Sequence, residues 1–72
     1  MDDNETDIET IEGRVIEALP STLFRIETSN SKVIISYLGG RMRVHKIKVL
    51  VGDKVLVQVD PYGGKGRIIK RL

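Results

Sequence analysis

The chain has no cysteine and no tryptophan, one phenylalanine, two tyrosines, two prolines and one histidine among its 72 residues. Without cysteine there is neither a disulfide framework nor a thiolate zinc site to supplement a small core, so its elements must close on themselves. The compartment is left open by this, although nothing requires an oxidising one. No apolar run approaches the length that spans a bilayer, and the start, Met1-Asp2-Asp3-Asn4-Glu5, reverses the basic start of a signal peptide. The reading is a soluble cytoplasmic protein, or one made inside an organelle. A domain of this size buries only about 60% of the surface its unfolded chain exposes, which leaves no room for a deep catalytic cleft.

What the chain does have is unevenly placed charge. Asp2, Asp3, Glu5, Asp7, Glu9 and Glu12 crowd the first twelve residues, which hold no lysine or arginine. Residues 13–72 carry all twelve basic side chains against Glu17, Glu27, Asp53 and Asp60, a net of +8 beneath the overall +2. A body so charged presents a positive field that favours a polyanionic partner, although scattered lysines also serve simple solubility. Residues 1–10, dense in acid and with Ile8 as apolar anchor, read as a flexible tail able to compete weakly for the basic face. The domain proper is expected over residues 11–72.

From Ile11 onward the apolar period is two. Val55, Val57 and Val59 alternate with polar or outward neighbours, as do Ile47, Val49 and Val51, and as do Phe24 and Ile26 around Arg25. Between Val15 and Ile16 the phase changes face just after Gly13, which predicts a bulge or sharp coil that lets one strand serve both halves of a closed barrel. Pro20-Ser21, Ser29-Asn30-Ser31, Gly52-Asp53 and Pro61-Tyr62-Gly63-Gly64 supply turns. Strands are expected near residues 11–18, 23–28, 32–38, 47–59 (bent or interrupted at Gly52) and 66–70, with one helical turn at 40–45. This all-β pattern matches a five-stranded Greek-key OB-fold barrel with a short helical turn between strands three and four; a small SH3-type barrel is the runner-up. Met42, between two arginines, reads as a plug for the barrel end and Phe24 as core, whereas Tyr37 reads as core or rim.

Catalysis finds little support. His45 has no triad companions at an evident spacing and lies among basic residues, where it reads as a surface or RNA-facing side chain. Gly63-Gly64-Lys65-Gly66 lacks the spacing and the following Ser or Thr of a phosphate loop, and reads as a hairpin turn. Asp53 and Asp60 are turn formers, and no set of carboxylates points to a metal. Neither enzyme activity nor a cofactor is assigned.

The basic side chains fall into two groups along the chain. Arg41, Arg43, His45, Lys46 and Lys48 surround the helical turn, while Lys65, Arg67, Lys70 and Arg71 lie at the far end of the sequence. Arginine can grip a phosphate with two parallel hydrogen bonds and lysine acts as a mobile point charge, so both suit RNA. Arg25 either joins this surface or pairs with a carboxylate across the strands. Tyr62 sits in a turn where its ring can be exposed. Stacking supplies about 1–3 kcal/mol per base, and so few aromatics argue for recognition by phosphates and shape rather than by splayed bases.

Four segments together resemble bacterial-type translation initiation factor one. They are Ile11-Glu12-Gly13-Arg14-Val15-Ile16-Glu17-Ala18-Leu19-Pro20-Ser21-Thr22-Leu23-Phe24-Arg25-Ile26, the turn Gly40-Arg41-Met42-Arg43, the run Ile47-Lys48-Val49-Leu50-Val51-Gly52-Asp53-Lys54-Val55, and Asp60-Pro61-Tyr62 with Lys65-Gly66-Arg67-Ile68-Ile69. The resemblance implies an OB-fold protein that binds the small ribosomal subunit at its aminoacyl-tRNA site. It implies contacts with the decoding region of the rRNA and a neighbouring ribosomal protein, a block to premature tRNA entry and cooperation with the other initiation factors; the chain itself is read as a monomer. The chain departs from the family pattern at Lys46, where many members carry an aromatic. It also departs in the loop after Tyr62, one residue shorter and made of Gly63 and Gly64. The alternative is a general RNA-binding or RNA-chaperone barrel; a barrel that mainly docks a protein is disfavoured by the dense lysines and arginines.

Overall fold

The phase change between Val15 and Ile16 is a register shift in the longest strand. In the computed structural model, which describes residues 9–72, β1 (Glu9–Leu19) pairs antiparallel with β4 (Lys54–Val59) through its first half and with β2 (Leu23–Thr28) through its second. The shift falls between Val15 and Glu17. Just there Val15 leaves the β4 ladder and exchanges bonds with a turn instead. Its N–H donates to the Asp53 carbonyl at 2.9 Å, and its carbonyl accepts from Gly52 at 2.7 Å. Gly13 lies where both partners converge, and a Cβ there would stand 2.5 Å from Ile26 Cγ2.

β2 pairs with β3 (Val33–Leu38), β3 runs parallel to β5 (Gly66–Arg71), and β5 returns antiparallel to β4. The order β1-β2-β3-β5-β4 closes a barrel, the OB-fold expected. Helix α1 (Gly40–Val44) follows β3, and a 3₁₀ turn (Pro20–Thr22) joins β1 to β2. No helix among the described residues is long and apolar enough to cross a membrane.

The interior is filled by Val15, Phe24, Ile26, Val55, Val57 and Ile68, with Met42 of α1 and Val49 closing one end. Each such buried side chain is worth about 1.5–3 kcal/mol. Phe24, Ser36 and Gly66 are register partners on three neighbouring strands, so two small residues make room beside one ring. Met42 is 1% exposed, the plug that its sequence position implies.

Residues 47–51 do not continue β4 as expected. After α1 the chain closes in a Schellman end, with Lys46 N–H to the Arg43 carbonyl and Ile47 N–H to the Met42 carbonyl. It then crosses to a turn at Leu50, where Asp53 N–H reaches the Leu50 carbonyl and Gly52 takes φ 100°. The bulge has turned β1 away and β5 pairing stops at Arg71, so no strand edge remains for residues 47–51. Val49 alone of the three alternating residues is buried; Ile47 and Val51 face outward. β1 also starts two residues before position 11, at Glu9. The remainder of the acidic segment, residues 1–8, lies outside the described residues.

Candidate nucleic-acid interface

Met42 points into the barrel, so its neighbours Arg41 and Arg43 on the single turn of α1 must face solvent. The turn is seated by Gly39, whose N–H donates to the Ile68 carbonyl at 2.8 Å. A Cβ at Gly39 would come within 2.9 Å of that oxygen and 3.3 Å of Arg67 Cγ, so glycine lets the chain pass directly over β5. Arg41 and Arg67 thereby line one cleft of about 480 Å³ together with Met42, Gln58 and Ile69. One member of each of two basic groups that are separate along the sequence thus borders the same cleft.

Arg67 is held from the other side. Tyr37 is its register partner on β3, and the Arg67 guanidinium lies 5.9 Å from the Tyr37 ring centroid with Nε 3.4 Å from the phenol oxygen. Across the barrel wall Gln58 is its partner on β4. Lys65 extends the surface: it lines an adjoining cleft of about 280 Å³ with Tyr37, Gln58, Asp60, Pro61 and Arg67. Sequence reasoning does not single out Tyr37 or Gln58 as site residues. Gln58 carries there only an outward phase on strand four, and Tyr37 reads as core or rim.

Tyr62 is 94% exposed at the tip of the β4–β5 loop. Asp60 Oδ1 accepts its backbone N–H at 2.8 Å, and Gly63, with φ 85°, closes the turn on the Asp60 carbonyl. Arg43, His45, Lys46 and Lys48 are all exposed around the α1–β4 loop. Lys46 stands at φ 53°, a left-handed conformation usually left to glycine. Beside these cations lie Val44, Leu50 and Val51, each more than half exposed, so this loop carries an apolar as well as a basic face.

Two of the expected residues are already engaged elsewhere. Arg25 pairs with Glu17 at 3.3 Å, the cross-strand alternative, and so lends less field than a free arginine. Arg71 Nη1 donates to the Lys48 carbonyl at 3.0 Å and braces the loop. Lys70 is exposed as the partner of Leu56 on β4.

The chain matches the family model described as translation initiation factor 1A / IF-1 over residues 2–72. It is similar to the solution structure of the bacterial translation initiation factor one from the Wolbachia endosymbiont strain TRS of Brugia malayi. That match has 38% identity and a TM-score of 0.79, over 99% of this chain and 85% of that one. It also resembles part of YjeQ from Thermotoga maritima, at 28% identity and a TM-score of 0.75, over 89% of this chain and 23% of that one. YloQ, a circularly permuted GTPase, matches at 30% identity and a TM-score of 0.76 over the same shares. The barrel thus corresponds to about a quarter of each of those two proteins.

Proposed function

This chain belongs to the translation initiation factor 1A / IF-1 family, and from that premise we propose that its basic face binds the decoding site of the small ribosomal subunit. The role in translation initiation follows from the family. The finer reading is that the protein occupies the aminoacyl-tRNA site through rRNA and a neighbouring ribosomal protein, excludes premature tRNA by its bulk, and assists the other initiation factors. It acts as a monomer, without catalysis, in the cytoplasm or inside an organelle.

The observation that carries this reading is that Arg41, Gln58 and Arg67 line one cleft, with Lys65 on an adjoining cleft that shares Gln58 and Arg67. Arg67, held beside Tyr37, presents a positioned fork to phosphate, and Arg41 adds a second guanidinium from the α1 turn; a pre-positioned donor loses little entropy on binding. Phe24 is buried and Tyr37 is engaged with Arg67, which leaves Tyr62 as the freely exposed ring. One stacking platform supplies about 1–3 kcal/mol, so shape and phosphate contacts carry the rest.

The test is binding of labelled protein to purified small subunits, competed by an antibiotic that occupies the decoding site and by unrelated single-stranded RNA. Saturable one-to-one binding displaced by the antibiotic alone supports the proposal. Equal competition by any RNA replaces it with a general RNA-binding barrel.

A further inference from the structure

Among the described residues eight large apolar side chains are exposed, and four of them, Ile16, Leu50, Val51 and Leu72, gather around one turn. Val15 N–H donates to the Asp53 carbonyl and the Val15 carbonyl accepts from Gly52, so Gly52 and Asp53 together oppose one residue of β1. With Gly52 at φ 100°, this is a bulge that opens on a left-handed glycine. Ile16 follows Val15 and Val51 precedes Gly52, so both flank that exchange. Val15 is buried, and the pleat turns Ile16 to the outside. Leu50 closes the same turn: its carbonyl accepts the Asp53 N–H at 3.0 Å and its own N–H donates to Asp53 Oδ2 at 2.9 Å. Leu72 is tied to the next residue, its N–H donating to the Lys54 carbonyl at 2.8 Å.

The core makes little use of these side chains. Val49 is the one buried residue between positions 47 and 51, whereas Leu50, Val51 and Leu72 are each more than half exposed. The rim of the patch is cationic. Lys48, Lys54 and Arg71 are exposed around the turn, with Arg71 Nη1 on the Lys48 carbonyl at 3.0 Å. The two acids beside it are engaged, Glu17 with Arg25 at 3.3 Å and Asp53 with the Leu50 N–H. Phosphate gains nothing from leucine and valine side chains, and the two clefts lined by Arg67 include none of these residues. Apolar side chains gathered within a rim of one sign fit a protein surface of the complementary pattern.

We propose that the turn at residues 50–53 is a docking surface for an acidic amphipathic segment of a partner protein. Large apolar side chains of that segment cover Ile16, Leu50 and Val51, and its carboxylates meet Lys48, Lys54 and Arg71. Burial of the apolar contacts supplies the affinity, while the charges select an acidic partner and speed its approach. This surface lies beyond the proposed RNA contact and does not depend on it.

The test is a titration of the isotopically labelled full chain with a synthetic amphipathic helix, leucines along one face and glutamates along the other, followed through backbone amide signals. Saturable shifts at Ile16, Gly52, Lys54 and Leu72, with Arg41, Lys65 and Arg67 unmoved, are the expected result. A twin peptide with lysine in place of glutamate should not bind. Combined Leu50→Ser and Val51→Ser should weaken the glutamate peptide about tenfold, the value of one exposed apolar contact surface lost. Both side chains are exposed, so the signals of Val55, Val57 and Ile68 should stay in place and report an intact barrel. An unmoved spectrum, equal binding of the lysine peptide, or shifts confined to Arg41, Lys65 and Arg67 overturns the proposal. Single-stranded RNA that moves the same four amides to saturation also overturns it and assigns the patch to nucleic acid.

Discussion

Tyr37 and Arg67 stand side by side in register on parallel strands, with the guanidinium 5.9 Å from the tyrosine ring centroid, and Arg67 lines one cleft with Arg41. At 3.4 Å the hydrogen bond to the phenol is long, so the ring contributes more than the hydroxyl. Tyr37→Phe should therefore leave small-subunit affinity nearly unchanged. Tyr37→Ala should lower it by about two- to fivefold, the value of an exposed cation–π contact, in a titration of labelled protein.

Arg41 and Arg43 are exposed on a turn anchored by Met42. Replacing both arginines with alanine should weaken subunit binding while leaving the urea midpoint in place, because neither contributes to the core. Met42→Ala should do the reverse to stability, costing about 2–5 kcal/mol through the cavity it opens. If about five phosphates are contacted, raising salt from ~50 to ~200 mM should cost roughly 100-fold in affinity, and the double alanine variant should show a slope shallower by about one per arginine lost. An unchanged dissociation constant for that variant would remove the turn from the site.

Lys46 occupies the left-handed position of a Schellman end with φ 53°. Glycine there relieves steric strain at some cost in chain entropy, so Lys46→Gly should raise stability by about 0.5–1 kcal/mol, read as a higher urea midpoint. The same variant loses one cation from the loop and should bind subunits a few-fold less tightly. Stability and affinity moving in opposite directions would identify a residue retained for binding against its backbone preference. Lower stability would show that the lysine side chain has a packing role.

Ser36 is fully buried and its hydroxyl has no hydrogen-bond partner, while a Cβ on Gly66 would stand 2.7 Å from both that hydroxyl and Val57 Cγ1. Ser36→Ala should be neutral or stabilising by about 1 kcal/mol, since an unsatisfied buried polar atom is removed. Gly66→Ala should cost about 1–3 kcal/mol by overpacking, and less in the Ser36→Ala background. Urea titrations of the four proteins in this cycle check both signs; a cost at Gly66 independent of residue 36 would place the clash on Val57 alone.

Much of the barrel was legible along the chain because its causes are local. Alternation of period two marks β2 and β4, whose inward residues are Phe24 and Ile26, and Val55 and Val57. The reversal of phase at Val15 and Ile16 marks the bulge, since inserting one residue in a pleated strand exchanges its faces. Met42 flanked by arginines marks a plug because a single helical turn can send only one of three consecutive side chains inward. The order of these segments and their glycine turns carried the family resemblance.

Pairing is a different kind of information, because a strand needs an edge and edges are created by closure. Ile47, Val49 and Val51 alternate as well as the valines of β4 do, yet Ile47 and Val51 face solvent: β1 bends away at Val15, and Gly52 and Asp53 take its hydrogen bonds. Register likewise put Arg67 beside Tyr37, and closure of the barrel brought it to the cleft that Arg41 also lines, paired Arg25 with Glu17, and set Arg71 against the Lys48 carbonyl. Composition and periodicity thus set which residues are basic and, where a strand finds a partner, which ones face inward. Which cations share a cleft and which are already paired came from the closing of five strands on one another, since distance across a barrel is not a function of distance along a chain.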